Sequence, residues 1–275
     1  MHSARLKLIV VAARDGKQRS RAPARRRTPP DAFFPPDTMH AAQAELIREL
    51  DRVARLHAQR NVDPALDLAL TRIAAWQACR LGETYADLER KPRYAAAVVF
   101  FETDLYGGDN FARRDADVAR VVPMLVRMLP ERVIATLAEA MELNALAQEF
   151  DQALLACLPR ADGTFTVAEY CAAFRRVGNR SGRDRQVSLT TDIGAALDRF
   201  VKMPFIRAAL TMMRQPARVA GMSVLHDFLE RGFDAFRRMG GADEFLATIA
   251  ARETALLDAI FAGNDAPFPA PQRRV

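Results

Sequence analysis

PERVIATLAEAMELNALAQEFDQALLACLP, residues 130–159, is the stretch from which the fold can be read. Between its two prolines lie twenty-eight residues without a glycine or a further proline. Ile134, Leu137 and Met141, then Leu146, Phe150 and Leu154, recur at three- and four-residue intervals and mark one apolar side of a helix from Glu131 to about Leu158. Pro130 suits the opening, because the first helical turn has no use for the amide hydrogen that proline lacks.

The same punctuation extends in both directions. Upstream, Leu46, Leu50, Val53 and His57 place a helix over about 39–61. Asp63-Pro64 then pairs an acidic N-cap with a proline in the first turn and opens a helix carrying Leu66, Leu70, Ile73 and Trp76 to about Leu88. Lys91-Pro92 restarts the chain, with Ala96, Val99, Phe100 and Thr103 inward as far as Tyr106, and Gly107-Gly108 stops it. Asp115 caps a further segment bearing Val118, Val121, Val122 and Leu125, which Pro123 should kink. Downstream, PRADGTF (159–165) is a turn and a candidate subdomain border. Thr166-Val-Ala-Glu169 has the reciprocal capping pattern of a helix ending near Val177. GNRSGRDRQVSLT, 178–190, reads as a polar connection, and helices over about 191–202, 204–214, 216–238 and 242–262 complete the chain. No convincing period-two pattern occurs. The expected fold is all-α, a multi-helix bundle of about eight to ten helices over residues 39–263, with possible subdomains 39–160 and 164–263.

Charge separates the ends from the body. Residues 1–38 hold nine Arg or Lys against three Asp, which leaves the body close to neutral although the whole chain carries +6. With so little apolar sequence, 1–38 reads as a disordered basic tail, and 264–275 as a disordered C-terminal tail. Nucleic-acid binding is therefore unlikely except through the basic tail, since a dedicated domain puts its basic face on the fold. Met39 could also be the natural start. The apolar runs at 8–13 and 95–101 are too short to span a bilayer, and no cleavage site follows the first. Arg outnumbers Lys 36 to 4, as in GC-rich genomes, and Cys79, Cys157 and Cys171 are odd in number and far apart. A cytoplasmic protein with reduced thiols is the expectation.

The densest polar constellation is FFETDLYGGDNFARRD, 100–115. Glu102 and Tyr106 share a helical face, and Asp104 sits near a helix end where an acid is unfavourable unless a cation approaches; Arg113 and Arg114 follow the glycine turn and could supply it. Either this is a charge-latched structural corner, or Glu102, Asp104, Tyr106, Arg113, Arg114 and Asp115 line a polar pocket that holds a small molecule. The pattern F-F-x-x-D-L-Y-G-x-x-x-F-x-x-R-D, carried by Phe100, Phe101, Asp104, Leu105, Tyr106, Gly107, Phe111, Arg114 and Asp115, resembles a group of uncharacterised bacterial helical proteins. The stretches MLPERVIATLAEAMELNALAQEFD and RQPARVAGMSVLHDFLERGFDAF are similar to that group too. The resemblance implies a shared all-α domain over roughly 40–262; it implies no activity and supplies no catalytic residue.

Elsewhere the chemistry is thin. The Glu-x-x-His pairs of a di-iron bundle, H-E-x-x-H, G-x-S-x-G and the phosphate-binding glycine loops are all missing, so no catalytic residue, metal or cofactor is assigned and an enzyme is not favoured. His57 reads as a core histidine. His226 lies four residues before Glu230, the one histidine at which a metal or haem contact has a foothold. Glu142 and Glu149, seven apart, read as a solvated acidic face, and Arg180, Arg183 and Arg185 as a mobile loop with some capacity for anions. MPFIRAALTMMRQPARVAGM, 203–222, concentrates methionine and other apolar residues of the kind that receive a partner helix. The expectation is a helical interaction or regulatory protein with a protein partner or a homodimer; the alternative is a small-molecule or cofactor-binding protein using the Glu102–Asp115 corner.

Overall fold

The computed structural model describes residues 36–101 and 130–269, with side chains from residue 41. Among these residues there are nine helices and no strand. They are α1 (Pro36–Val62), α2 (Pro64–Glu89), α3 (Pro92–Phe100), α4 (Glu131–Cys157), α5 (Val167–Val177), α6 (Arg180–Val201), α7 (Pro204–Val219), α8 (Ser223–Met239) and α9 (Asp243–Phe261). The N-terminal tail and the segment around Pro123 lie outside the described residues.

Local chemistry accounts for most boundaries. Asp63 accepts from the amides of Ala65 (3.1 Å) and Leu66 (3.0 Å), which satisfies two donors that have no intrahelical partner. The capping box of α5 forms in both directions: Glu169 N donates to Thr166 Oγ1 and Thr166 N to Glu169 Oε2. Gly240, left-handed at φ 66°, ends α8.

The structure departs from the sequence pattern at four places. α1 buries Leu56 rather than His57, alongside Leu46, Leu50 and Val53. α3 buries Tyr94, Ala97, Val98, Phe100 and Phe101 and leaves Val99 exposed, because it is pressed between α2 and α8 and hides two sides. The 178–190 stretch is not a connection: α6 starts at Arg180, where Asn179, left-handed at φ 54°, accepts from Gly182 N (3.0 Å). Likewise Pro216 lies inside α7 instead of opening the next helix.

Three apolar clusters hold the helices together. The first joins the second half of α2, α3, the end of α8 and the start of α9 through Tyr94, Phe100, Phe101, Phe236, Met239 and Phe245. The second joins the first half of α2, the end of α4, α5 and the end of α9 through Ile73, Leu154, Tyr170, Cys171, Phe174 and Ile260. Each fully buried aromatic or branched side chain contributes roughly 1.5–3 kcal/mol. Trp76 closes this second cluster, with ring centroids 4.3 Å from Tyr170, 5.2 Å from Phe165 and 5.6 Å from Phe268. Phe268 lies in the stretch expected to trail free from 264, and these ring contacts fasten it.

The third cluster pairs α1 with α4. Leu46 and Leu50 meet Ile134, Ala138 and Met141; further along, Val53 and Leu56 meet Ala145, and Gln152 reaches Gln59. Numbers rise together on both helices, so the two run parallel, with α2 and α3 in the chain between them. Arg52 fastens the pair by donating to Glu149 (Nε–Oε1 2.6 Å) and to Glu49 (3.0 Å).

α6 and α9 run antiparallel and touch closely at Gly194. A Cβ there would stand 2.5 Å from Leu246 Cδ2, so only glycine fits as packed. Nearby, Arg183 is 8% exposed, its guanidinium carbon 3.8 Å from the Phe150 ring centre and 4.2 Å from that of Phe174. Nη1 donates to Gln186 (3.1 Å), while the buried Nε has no partner. Burial lowers the Arg183 pKa from its ordinary value. Asp151 accepts from Gln77 Nε2 (2.8 Å); burial pushes its carboxyl up to about 6 against the opposing pull of that bond and of Arg183 and Arg60.

Candidate functional site

The corner residues Glu102, Asp104, Tyr106, Arg113, Arg114 and Asp115 lie outside the described residues. Their flanks are fixed. Phe100 packs tilted against Phe228 of α8 (ring centroids 5.3 Å apart) and Phe101 meets Phe245 of α9 edge-on (5.8 Å). The chain re-enters at Pro130, and Arg132 Nη2 comes within 4.0 Å of Met203 Sδ at the threshold of α7.

Of the other candidates, Glu142, Glu149, Arg180 and Arg185 are paired across helices, whereas Arg183 is sunk between Phe150 and Phe174. Arg185 donates to both oxygens of Glu142 (2.9 and 2.6 Å), whose carboxyl it holds below the usual range, and Glu149 is held by Arg52. Arg180 bridges Asp184 (2.8 Å) and Asp258 (2.7 Å). Apart from Arg180–Asp184, whose four-residue interval is visible in the sequence, these partnerships link residues more than forty positions apart and do not show in sequence spacing. A groove of about 440 Å³ lies between the end of α2 and α9, with Pro267 and Pro269 in its lining. Its Arg252–Asp87 pair is bidentate (2.7 and 2.8 Å), and hydrogen bonding from Arg252 draws the Asp87 carboxyl down to about 2.

The hairpin of α7 and α8 differs from the rest of the surface. Met203 precedes α7 with Pro204 in its first turn, and no acid occurs between Pro204 and Val219. At 100° per residue, its side chains fall into three sectors. Ile206, Leu210, Met213 and Ala217 face the body, and Ala217 is the fully buried one. Arg207, Arg214 and Arg218 form a basic flank. Phe205, Ala208, Met212 and Val219 face outward; Phe205 is 62% exposed, Met212 49% and Val219 67%. The last three stand seven residues apart, the interval of a helix-pairing seam. The apolar arc is thus wider than the contact that α7 makes with its own fold.

Pro216 fits this arrangement. Its missing N–H leaves the Met212 carbonyl without its helical donor, and Met212 is on the outward face, where water can supply one. α7 ends in a tight turn, with Gly221 N on Arg218 O (3.0 Å), Met222 N on Ala217 O (2.8 Å) and Gly221 at φ 72°.

Two contacts tie α7 back onto α8. His226, 5% exposed, bonds through Nε2 to the Leu210 carbonyl (2.8 Å). A carbonyl only accepts, so Nε2 carries the hydrogen and Nδ1 is left with its lone pair in the neutral ring. Arg214 grips Glu230 through Nη2 (2.8 and 3.0 Å) and Nε (3.3 Å). His226 Nδ1 faces Glu230 Oε2 at 3.8 Å and Asp227 Oδ1 at 3.9 Å. The sequence discloses the His226–Glu230 pair through its four-residue interval. It gives no sign of Arg214 or the Leu210 carbonyl, which meet that pair only once the hairpin closes, and Asp227 passes unnoticed.

The chain belongs to a family described as a domain of unknown function, DUF8198, whose model matches residues 56–267. No curated protein and no solved structure matches it.

Proposed function

We propose that this DUF8198 chain is a protein-binding helical module whose recognition element is α7, and that its partner is an amphipathic helix with acidic flanks. One observation carries the reading: Phe205, Met212 and Val219 form an exposed seven-residue seam on a helix that carries three arginines and no acid. Burying such a seam against an apolar stripe is favourable, and Asp or Glu beside that stripe would find Arg207 and Arg218, which have no ion-pair partner among the described residues.

A second copy is the weaker occupant. Two α7 helices laid together would bring like charges close. A strip about 24 Å long and one helix wide is also far below the roughly 800 Å² per partner of a stable dimer. The setting we propose is the bacterial cytoplasm, supported by the preference for Arg over Lys and by three free thiols on separate helices. The role proposed is binding rather than catalysis.

A photo-crosslinking residue in place of Met212, expressed in the native cell, tests this. The expected adduct is a peptide of another protein with helical apolar period and Asp or Glu beside it. A crosslink to a second copy, or to this chain's own residues, would overturn the assignment.

A further inference from the structure

We propose that His226, Asp227 and Glu230 form a binding site for a divalent transition-metal ion of the zinc class, with Arg214 as the group the ion must displace. The three residues offer one nitrogen and two carboxylate oxygens, all within 4.8 Å of one another. His226 and Glu230 are one helical turn apart on α8, and Asp227 adjoins His226.

The distances leave room for an ion. At 3.8 and 3.9 Å from the two carboxylates, Nδ1 is beyond hydrogen-bond reach, which ends near 3.2 Å for nitrogen and oxygen. Two ligands on one tetrahedral zinc, with bonds of about 2.0–2.1 Å, stand about 3.4 Å apart. The nitrogen and each carboxylate must therefore close by about half an ångström and the two carboxylates, within 4.8 Å of each other, by up to about 1.4 Å, which rotation of the partly exposed Asp227 side chain supplies. The ring is prepared as metal-bound histidines usually are. Its other nitrogen is committed to the Leu210 carbonyl, which fixes the tautomer and aims the Nδ1 lone pair at the carboxylates. A divalent cation among the three groups would be attracted by both carboxylates and accept the ring nitrogen's lone pair.

The site is also reachable and suitably charged. The Asp227 side chain is 46% exposed and that of Glu230 23%, so an ion can enter from solvent. Two carboxylates less one guanidinium leave one negative charge. The Arg214 grip on both Glu230 oxygens lowers the affinity, because the ion competes with it for Oε2.

The test is equilibrium dialysis of the full untagged chain against Zn²⁺, with Co²⁺ absorption as the spectroscopic readout. One ion per chain is expected, with a four-coordinate Co²⁺ spectrum lacking the thiolate charge-transfer band that binding at Cys79, Cys157 or Cys171 would produce. Asp227→Asn and Glu230→Gln, both on partly exposed side chains, should each weaken binding by at least the roughly 10–100-fold that loss of an outer-shell partner costs, as should His226→Gln. Arg214→Gln should tighten it severalfold, which loss of a merely structural ion pair would not do. No uptake by the unmodified chain, a thiolate spectrum, or affinity unchanged in Asp227→Asn and His226→Gln would overturn the proposal.

Discussion

α6 and α7 follow one another in the chain and both are rich in arginine, yet they treat that charge in opposite ways. α6 neutralises Arg180 with Asp184 and Asp258 and Arg185 with Glu142, and it sinks Arg183 between two aromatic rings. α7 engages Arg214 but leaves Arg207 and Arg218 to solvent and turns a row of apolar side chains outward. The difference lies in what each helix meets. α6 is packed by α4, α8 and α9, and acids and rings of α4, α5 and α9 are placed to receive its arginines; α7 rests chiefly on α8. An arginine-rich stretch is therefore masonry or contact surface according to its neighbours, and composition does not distinguish the two.

Substitutions can break or sharpen this contrast, and the largest effect is expected at Arg183. Arg183→Ala removes the filler between Phe150 and Phe174 and should cost about 2–4 kcal/mol in urea unfolding. Arg183→Met should recover most of that, because the stem volume returns and an incompletely paired buried cation is gone. If Met proves as damaging as Ala, the charge and not the volume is what matters there. By contrast, Arg207→Ala and Arg218→Ala should stay within about 0.5 kcal/mol.

Gly194→Ala comes next. Its Cβ collides with Leu246, and an overpacked core costs typically 1–3 kcal/mol. Leu246→Ala in the same chain should relieve the collision, so a double-mutant cycle should return a coupling of at least about 0.5 kcal/mol. Additive effects would mean that α6 and α9 are less tightly engaged than the packing shows.

Asp151→Asn tests the electrostatics beside Arg183. The folded-state carboxyl titrates at about 6, above its ordinary value of 3.8, so the native state holds the proton more strongly than the unfolded chain does. Stability is therefore fullest below pH 4 as far as this group is concerned and declines as pH rises through 6. Asp151→Asn should stabilise by about 1–2 kcal/mol at pH 7, within the roughly 3 kcal/mol that two pH units allow, and by almost nothing at pH 4. Denaturant melts at the two pH values check the sign.

The smallest effect on stability is expected on α7. Met212→Asp and Val219→Asp should change the unfolding free energy by no more than about 0.5 kcal/mol while abolishing partner capture. A large loss of stability would show that the outward seam belongs to the chain's own core.

How much was legible follows from the same contrast. Helix starts written in local chemistry are readable: at Asp63 and at Thr166 with Glu169 the cap and the capped amide lie within three residues of each other, and at Pro92 the proline itself marks the first turn. The 178–190 stretch reads as a connection because it is polar, without an apolar period, and carries Gly178 and Gly182, which are poor helix formers. It folds as helix because Asn179 caps it locally and because Phe150 and Phe174, from two other helices, receive Arg183. Pro216 reads as a boundary because proline removes one helical donor and crowds the carbonyl four residues back; α7 accommodates it in its last turn, with Met212 on the outward face. At the candidate site, the histidine–glutamate interval could be seen, whereas Arg214 and the Leu210 carbonyl belong to a different helix and enter only by tertiary closure.

The parallel alignment of α1 with α4 has a consequence for synthesis. The oily flank of the first helix finds its mate some ninety residues later, as the 97-residue separation of Arg52 from Glu149 measures. At translation speeds of about 5–20 residues per second, Leu46, Leu50 and Val53 wait on the order of 5–20 s after leaving the ribosome before Ile134 and Met141 exist to cover them. The nascent chain must therefore pass through a stage in which its opening helix is adhesive, a window in which chaperones would find it.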